Sequence, residues 1–431
     1  MQTSDLIIFL ILLGCMAAYV PVFLCLFFTA LLGLVLFTDL PLLMLAQTLF
    51  RSMDNFALVV VLFFILCGSI MTTGSIVERL IRFANMLVSW LPGGLGMAGV
   101  TACALFGAIS GSTVATVVAM GGFMIPALLR NGYPLQYTVG LMCTSGNLGV
   151  IIPPSISMIL WCMVSSVSLE GLFLTGYLPG ILIMLLTCIY SYVLFRNDTT
   201  IVRLPFPPAG ELWAGFKDCF WSLMLPVVIF VGIYSGAFTA NEAAVVACVY
   251  AFIVELFIHR TMKWRDVKRV TVNSAVTSAT LLIIVAGATC FGRLLTMENV
   301  PNRVTEAVLN TIQSPAVFML VSQLLLLVVG MFMDVISATL ILGPVFLPML
   351  SAFNVDPMHF GTLMTVNLAI GYCTPPVGVS LYITGSIANK DIIFVTRAVL
   401  PFLFIQLAVL FLVAYWPEGN LWLPRVMGYI K

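Results

Sequence analysis

Long apolar stretches, separated by short polar segments, run along almost the whole chain. A helical membrane span needs about 20 apolar residues, so the chain has room for roughly ten spans. The first stretch, 6–37, contains Pro21 near its middle and predicts either one long kinked span or two short ones. Further spans are predicted at 56–73, 172–195, 218–236, 240–258, 273–291 and 392–416.

Other segments mix charged and apolar residues. Residues 41–55 include Arg51 and Asp54 and predict a short surface helix. Residues 75–90 have the charge pattern of an amphipathic helix lying near the membrane interface. A third mixed segment, 293–313, follows the span at 273–291.

Two segments predict re-entrant hairpins, in which two half-length helices meet at a tip inside the membrane. Residues 92–126 are rich in small residues, and residues 314–350 have their tip between Gly330 and Asp334. In the first segment the hydrophobicity falls at Ser110, Gly111, Ser112 and Thr113.

Two predicted spans, 135–165 and 357–386, are interrupted by a pair of prolines. A Pro-Pro pair removes two helix N–H donors and clashes with the preceding turn, so each helix must break there. An unsatisfied backbone group in lipid costs several kcal/mol, so such a break survives only inside the protein or beside a wet cavity. Both breaks are therefore interpreted as parts of a binding site. Their polar and special residues are Asn147, Pro153, Pro154 and Ser155, and Asn367, Thr374, Pro375, Pro376 and Gly378.

The two halves of the chain repeat one another at a shift of 222 to 223 residues. Pro126 to Pro153 and Pro348 to Pro375 are both 27 residues. Chance rarely preserves such an interval. The matched residues are Gly107, Ala115, Thr116 and Pro126 in the first half, and Gly330, Ala338, Thr339 and Pro348 in the second.

The basic cluster from His259 to Arg269 predicts that this loop is cytoplasmic, by the positive-inside rule. Counting spans from it places loop 196–217 on the same side and makes the two hairpins open from opposite sides, so the repeats are inverted. The predicted division is 1–55, N-terminal scaffold helices; 56–195, first repeat; 196–272, cytoplasmic loops and connecting scaffold spans; 273–416, second repeat; and 417–431, C-terminal tail.

Composition agrees with a polytopic, all-α membrane protein. The 431 residues are 61% hydrophobic and 8% charged, with a mean hydropathy of +1.15. A net charge of +1 gives no indication of nucleic-acid binding. An enzymatic function is disfavoured. A serine nucleophile needs a general base, but the only histidines, His259 and His359, lie in predicted loops. No Walker A motif occurs, so ATP hydrolysis is not supported.

Inverted repeats with broken helices near the bilayer midplane are typical of secondary transporters, with the site at the repeat interface. Half-helix N-termini attract anions, and freed carbonyls can hold Na⁺. Asp334 is a carboxylate in an apolar run, and it is predicted to be a cation ligand or a proton site; it is also positioned to cap the second arm of its hairpin. Ser337 and Thr339 follow it as further candidate ligands.

Four motifs resemble the large membrane subunit (DctM type) of tripartite ATP-independent periplasmic (TRAP) transporters. They begin at Gly107, Thr239, Gly330 and Thr374, and the resemblance covers essentially the whole chain. The piece at 239–243, Thr-Ala-Asn-Glu-Ala, departs from the commoner Thr-Pro-Thr-Glu.

This resemblance implies an elevator-type, Na⁺-coupled importer of a small organic anion in the bacterial inner membrane. It implies two partners: a small four-helix membrane subunit (DctQ type) and a periplasmic substrate-binding protein (DctP type). It also implies two sodium sites. The first is near Ser110, Ser112 and Asn147, and the second is near Asp334, Thr339 and Thr374.

Two alternatives stay open on the sequence. Asp334 as a proton carrier would make the protein a proton-coupled organic-anion transporter. A passive channel is the other alternative, and it would conduct without saturating. The sequence does not name the anion, and C4-dicarboxylates, sugar acids, keto acids and sulfonates all fit.

Overall fold

The computed structural model describes residues 3–18, 20–38, 41–198, 201 and 206–430, and within these ranges all regular structure is helical. Eight helices are long and apolar enough to cross a membrane, and two bent helix pairs raise the number to as many as ten. This agrees with the predicted all-α polytopic fold.

The N-terminal segment 6–37 forms two helices, which decides between the alternatives left by the sequence. Pro21 lies between them and is the N-cap of the second. The segments predicted as surface helices, 41–55 and 75–90, are also helical. The helices are α1 (Thr3–Ala17), α2 (Val22–Phe37), α3 (Leu43–Met53), α4 (Ala57–Thr73) and α5 (Ile76–Val88).

The first predicted hairpin and broken helix are both present. The second arm of the hairpin continues to Arg130, four residues beyond the predicted end, because Pro126 lies inside that helix without terminating it. The broken helix consists of three pieces. The elements are α6 (Gly94–Ser110), α7 (Thr113–Arg130), α8 (Leu135–Ser145), α9 (Leu148–Ile151) and α10 (Ile156–Ser165).

Long helices connect the two repeats. The longest exceeds its predicted span of 273–291 at both ends, because charged and hydroxyl residues extend it beyond the apolar stretch. Residues 199, 200 and 202–205 of the predicted loop 196–217, including Arg203, lie outside the described residues. The helices are α11 (Leu169–Phe195), α12 (Ala209–Tyr234), α13 (Ala240–Ile253, followed by a π-helical turn, Val254–Ile258) and α14 (Trp264–Met297).

The second repeat has the same plan. The predicted tail at 417–431 contains one more helix, too short to be recognised by a 20-residue apolar criterion. It is anchored by the Asn420 Nδ2 atom, 3.0 Å from His359 Nδ1. The helices are α15 (Val300–Thr311), α16 (Pro315–Phe332), α17 (Val335–Ala352), α18 (Pro357–Gly371), α19 (Val379–Ala388), α20 (Ile392–Ala414) and α21 (Pro417–Val426).

The two repeats pack crosswise. Helix α10, the last piece of the first broken helix, packs on α17, the second hairpin arm of the other repeat. In the same way α19 packs on α7, α8 packs on α20, and α18 packs on α11. Each repeat therefore covers the other, as a pseudo-two-fold arrangement requires.

Glu255, at the end of α13, fixes α5 and hence the start of the first hairpin. This carboxylate is fully buried and accepts hydrogen bonds from the backbone N–H groups of Ser75 and Ile76, at 2.8 and 2.7 Å. Ser75 and Ile76 begin α5, so the carboxylate satisfies N–H groups that the helix itself leaves unpaired. Sequence reasoning missed this residue, whose only signal was a lone carboxylate in an apolar run.

Candidate functional site

Each hairpin meets the broken helix of its own repeat at a contact between two glycines. A Cβ atom on Gly107 would lie 2.7 Å from the Gly149 Cα atom, and one on Gly330 would lie 3.2 Å from the Gly371 Cα atom. Only glycine permits backbones to approach this closely. Gly107 and Gly330 are matched residues of the sequence repeat, so the repeat extends to the packing of the two tips.

The tip of the first hairpin is made of hydroxyl and backbone groups. Gly111 has a φ of +61°, which favours glycine, and it lets the chain turn between α6 and α7. The Ser112 side chain caps α7 by accepting a hydrogen bond from the Ala115 N–H at 3.4 Å. Ser110 is buried, and its Oγ atom lies 3.3 Å from Thr116 Oγ1.

The first break closes directly onto this tip. The Ile156 N–H donates to the Gly111 carbonyl at 3.4 Å, and a Cβ on Gly111 would lie 2.9 Å from the Pro154 carbonyl oxygen. Ser155 caps α10 by accepting from the Met158 N–H at 3.5 Å. Pro153, Pro154 and Ser155 are all buried, so the break lies inside the protein, as predicted.

The tip of the second hairpin carries a charge. Asp334 caps α17, since its Oδ2 atom accepts from the Ser337 N–H at 2.9 Å. Its Oδ1 atom accepts no hydrogen bond from the described residues. The Tyr372 hydroxyl accepts from the Val335 N–H at 3.1 Å, which joins this tip to the second break.

The second break is held by backbone contacts. The Gly378 N–H donates to the Met331 carbonyl at 3.2 Å, and the Ser380 N–H donates to the Tyr372 carbonyl at 3.0 Å. Gly378 has a φ of +40°. Pro375 is half-buried and Pro376 is exposed, so this break is more open than the first.

The two asparagines of the site are not equivalent. Asn147 precedes its Pro-Pro pair by six residues and Asn367 by eight. The Asn147 Nδ2 atom donates to Gln406 Oε1 at 2.9 Å, whereas the Asn367 Nδ2 atom donates to Gln323 Oε1 at 2.8 Å. Asn147 is therefore tied to α20 of the other repeat, and Asn367 to the hairpin of its own.

The two breaks meet at the centre of the molecule. The sulfur atoms of Cys143 and Cys373 lie 3.8 Å apart, and the Cys373 thiol is 3.5 Å from Asn147 Oδ1. All three residues are fully buried. The predicted residues of both halves thus belong to one connected region.

Several buried polar atoms here have no hydrogen-bond partner. They include the hydroxyl oxygens of Thr113 and Ser337 and the Oδ1 atom of Asn367. A buried polar atom without a partner costs about 1 to 3 kcal/mol, so these atoms are suited to a ligand. Together with the free Asp334 oxygen they are hard oxygen donors, the type that a Na⁺ site needs.

Other predicted ligands already have partners. The Thr339 hydroxyl donates to the Val335 carbonyl at 2.7 Å, and the Thr374 hydroxyl donates to the Ile370 carbonyl at 2.9 Å. Their oxygen lone pairs are still able to accept. Among the described residues no group of three His, Cys, Asp or Glu side chains is placed to hold a metal ion.

Sequence reasoning missed three residues that shape the site. Gln323 and Gln406 hold the two asparagines, and both are isolated amides in apolar helices, a signal that could have identified them. The third is Tyr372, whose hydroxyl accepts a hydrogen bond from the second tip.

Comparison with known proteins gives a consistent result. Residues 9–419 match the family model described as Tripartite ATP-independent periplasmic transporter, DctM component. The C4-dicarboxylate TRAP transporter large permease protein DctM of Rhodobacter capsulatus is 38% identical, over 99% of this chain and 100% of its own length.

Relatives named for other substrates are also similar. The sialic acid TRAP transporter large permease protein SiaM of Vibrio cholerae is 34% identical, over 97% of this chain and 98% of its own. The isethionate TRAP transporter permease protein DctMQ of Oleidesulfovibrio alaskensis is 36% identical over 92% of this chain, which covers 63% of that longer protein.

Among solved structures, the YdaH transporter of Alcanivorax borkumensis aligns with a TM-score of 0.66 and 14% sequence identity. The alignment covers 89% of this chain and 90% of that one. At this identity the likeness concerns the fold alone, and it confirms the predicted fold class.

Proposed function

The chain belongs to the DctM component family of tripartite ATP-independent periplasmic (TRAP) transporters, and we propose that it imports a small organic anion by Na⁺-coupled secondary transport. It is a large permease subunit and not an enzyme, as the sequence predicted. In this proposal it works in the bacterial inner membrane with a small DctQ-type membrane subunit and a periplasmic DctP-type binding protein.

The observation that carries the Na⁺ proposal is the pair formed by Asp334 and Ser337 at the second tip. One Asp334 oxygen caps α17, the other has no partner among the described residues, and the buried Ser337 hydroxyl is also unpaired. A carboxylate at membrane depth costs about 2.5 to 3.5 kcal/mol on insertion scales, so its presence favours a functional role. Na⁺ bound there would neutralise this charge.

The positions of Asp334 and Tyr372 support a coupling between Na⁺ binding and movement of the hairpins. Asp334 begins α17, and the Tyr372 hydroxyl links this tip to the second break. Na⁺ bound at the second tip would therefore order the backbone of both α17 and the second break. We propose that this ordering lets the hairpins and broken helices move together, relative to the remaining helices, as an elevator.

The substrate is proposed only as a class. Relatives are named for a C4-dicarboxylate, sialic acid and isethionate, all of them small organic acids. The shared feature is an anionic carboxylate or sulfonate group. The N-termini of half-helices α7, α10 and α17 converge near the breaks and offer positive dipole ends to such a group.

The test is uptake into proteoliposomes that contain this chain and its small partner subunit, with the binding protein outside. We expect uptake under an imposed Na⁺ gradient and none under a proton gradient alone. Uptake under the proton gradient alone would favour Asp334 as a proton carrier instead. Conduction that never saturates would favour a channel.

Asp334→Asn sharpens this test, because Asn caps a helix about as well as Asp and only the charge is lost. We expect Na⁺-driven uptake to fall at least roughly 100-fold, the upper range for changes around metal sites. The matched control is Asp356→Asn, which makes the same change at the N-cap of α18, where the carboxylate accepts from the Met358 and His359 N–H groups. Equal losses in both variants would contradict the cation-site proposal.

A further inference from the structure

A cavity with one polar and one apolar wall lies between α17 and the helices that pack outside it. It has a volume of about 530 Å³ and lies beside Arg293, toward the end of α14 that is opposite the loop predicted to be cytoplasmic. One wall comes from α3, α14 and α15, and the opposite wall from α10 and α17. The cavity is therefore bounded on one side by the repeat core and on the other by the surrounding helices.

The two walls differ in chemistry. The outer wall carries hydroxyls and amides, among them Thr296, Asn299 and Asn302, whereas the α17 wall is apolar and includes Leu340 and Pro344. Arg293 is the single charged residue among those that line the cavity. An organic anion has the matching pair of features, a charged group and a carbon skeleton.

Arg293 is available to a ligand. Its side chain is exposed, and within the described part of the chain it forms no ion pair. Glu298, the next acidic residue along the same helix, does not line the cavity. A guanidinium group presents a fixed fork of donors that fits carboxylate oxygens in a bidentate manner, and the neighbouring amides add further donors.

Below the cavity the same face of α14 is apolar and closed. Leu281, Leu282 and Val285 line a small cavity there together with Leu160 of α10 and Ile336 of α17. The cavity that these residues line has a volume of about 10 Å³, at the lower limit for a single water molecule, and its almost wholly apolar lining offers a water too few polar partners. The large cavity therefore ends at an apolar region between α14 and the repeat core, which is formed here by α10 and α17.

The cavity is also close to the charged tip. Leu340 is six residues from Asp334 along α17, or about 9 Å at 1.5 Å per residue. An anion beside Arg293 would therefore touch the helix that Asp334 begins. If α17 and α10 slid along α14, they would carry such an anion past this apolar region.

We propose that this cavity is the outward-facing reception site for the transported anion, with Arg293 as the residue that binds its carboxylate or sulfonate group. The proposal rests on the proposed function, because it assumes that an organic anion is the cargo. It adds a residue that determines substrate charge and that belongs to neither hairpin tip.

The first experiment measures the charge preference of the cavity without any transport. Thr296→Cys is labelled with two membrane-impermeant methanethiosulfonate reagents, the anionic sulfonatoethyl and the cationic trimethylammonioethyl compound. The native cysteines, all buried or half-buried, provide the background in the unaltered chain. The quantity measured is the labelling rate with the anionic reagent divided by the rate with the cationic reagent. We expect this ratio to fall about tenfold when Arg293→Gln is added, which is the lower end of the rate effects produced by charges in a cleft.

Two control variants are compared with Arg293→Gln in the same labelling experiment. Arg293→Lys retains the charge and should retain most of the ratio. Arg51→Gln removes another exposed cation from α3, which also lines the cavity although Arg51 itself does not, and it should leave the ratio unchanged. An unchanged ratio in Arg293→Gln, or an equal fall in Arg51→Gln, would overturn the proposal.

The second experiment measures uptake by the assembled transporter. Arg293→Gln should raise the apparent KM for the anion roughly tenfold with little change in the maximal rate, because an initial binding contact is lost. An unchanged KM would overturn the role in substrate reception, even where the labelling ratio falls. If the unaltered protein shows no Na⁺-driven uptake, the proposed function fails, while the labelling ratio still decides whether the cavity receives anions.

Discussion

The first hairpin tip is closed by hydroxyl and backbone groups, whereas the second tip carries the carboxylate of Asp334. The first break is buried throughout, and the second is exposed at Pro376. Both share the same glycine contact and the same Pro-Pro interruption. One backbone plan therefore supports two chemically different sites, one neutral and enclosed, the other charged and more accessible.

The two halves also differ in what they hold together. Asn147 of the first break is tied to Gln406 of the second repeat, while Asn367 of the second break is tied to Gln323 of its own hairpin. The first break therefore connects the repeats, and the second stabilises its own tip. This difference indicates that the first break has the larger role in holding the two repeats together.

The largest expected effect is on the glycine contacts. A Cβ on Gly371 would lie 2.5 to 2.8 Å from three backbone atoms of Gly330, which cannot move aside. We expect Gly371→Ala to destabilise the protein by about 3 kcal/mol, the upper range for overpacking. Gly149→Ala should cost less, because the Ser112 carbonyl oxygen at 2.7 Å is the one backbone atom among its three nearest neighbours and the other two belong to the Thr116 side chain.

The measurement is the thermal unfolding midpoint of the detergent-solubilised protein. Gly122→Ala is the control, since a Cβ there meets nothing within 4 Å. Equal midpoints for Gly371→Ala and Gly122→Ala would mean that the close contact is unimportant.

The second prediction compares the two glutamines. Gln406→Ala removes the partner of Asn147 and also the donor to the Thr144 carbonyl at 2.8 Å, leaving buried groups unpaired. A loss of about 2 kcal/mol is expected. Gln323→Ala should cost about 1 kcal/mol, because Asn367 Nδ2 still donates to the backbone carbonyl of residue 323 at 2.7 Å. The reverse order of thermal midpoints would contradict the idea that the first break connects the repeats.

The third prediction concerns the unpaired hydroxyls. Ser337→Ala should weaken the apparent affinity for Na⁺ about tenfold, or about 1.4 kcal/mol, without lowering stability in Na⁺-free buffer, because its hydroxyl has no protein partner. Thr113→Val should have a smaller effect, since no carboxylate caps its helix. The checks are uptake at graded Na⁺ concentrations and thermal midpoints with and without Na⁺. Loss of stability in Na⁺-free buffer would show a purely structural role.

The smallest expected effect is at the end of the first break. Ser155→Ala removes the cap of α10, a long hydrogen bond of 3.5 Å, and should cost about 0.5 to 1 kcal/mol. The second break has no equivalent side-chain cap, because Gly378 occupies the N-cap position of α19. The change should shift the thermal midpoint slightly and leave Na⁺ affinity unchanged; a large loss of affinity would place Ser155 among the ligands.

The backbone plan of the site could be predicted from sequence because its determinants are local. The Pro-Pro pairs that begin at Pro153 and Pro375 interrupt their helices, and Gly111 marks a turn by its conformational freedom. The equal spacing of prolines in the two halves then indicated that the halves are repeats of one another. Helix ends were less predictable, as at Pro126, because surrounding helices tolerate a proline inside a membrane helix.

Side-chain pairing could not be predicted in the same way. Asn147 and Gln406 are 259 residues apart, and nothing in either local segment indicates the other. The same applies to Glu255 and Ser75, which are 180 residues apart. Only the packing of helices decides which buried polar group meets which, so these contacts become visible with the structure alone.

The crosswise packing of the repeats has a consequence for how the protein is made. Helix α10 ends at Ser165, but α17, on which it packs, begins at Val335. At a synthesis rate of about 5 to 20 residues per second, roughly 10 to 30 s separate the appearance of these two surfaces. During that interval the proline-broken segment of the first half lacks the helix that covers it in the finished protein, and lipid cannot satisfy its free backbone groups, so biogenesis is a stage at which this architecture is vulnerable.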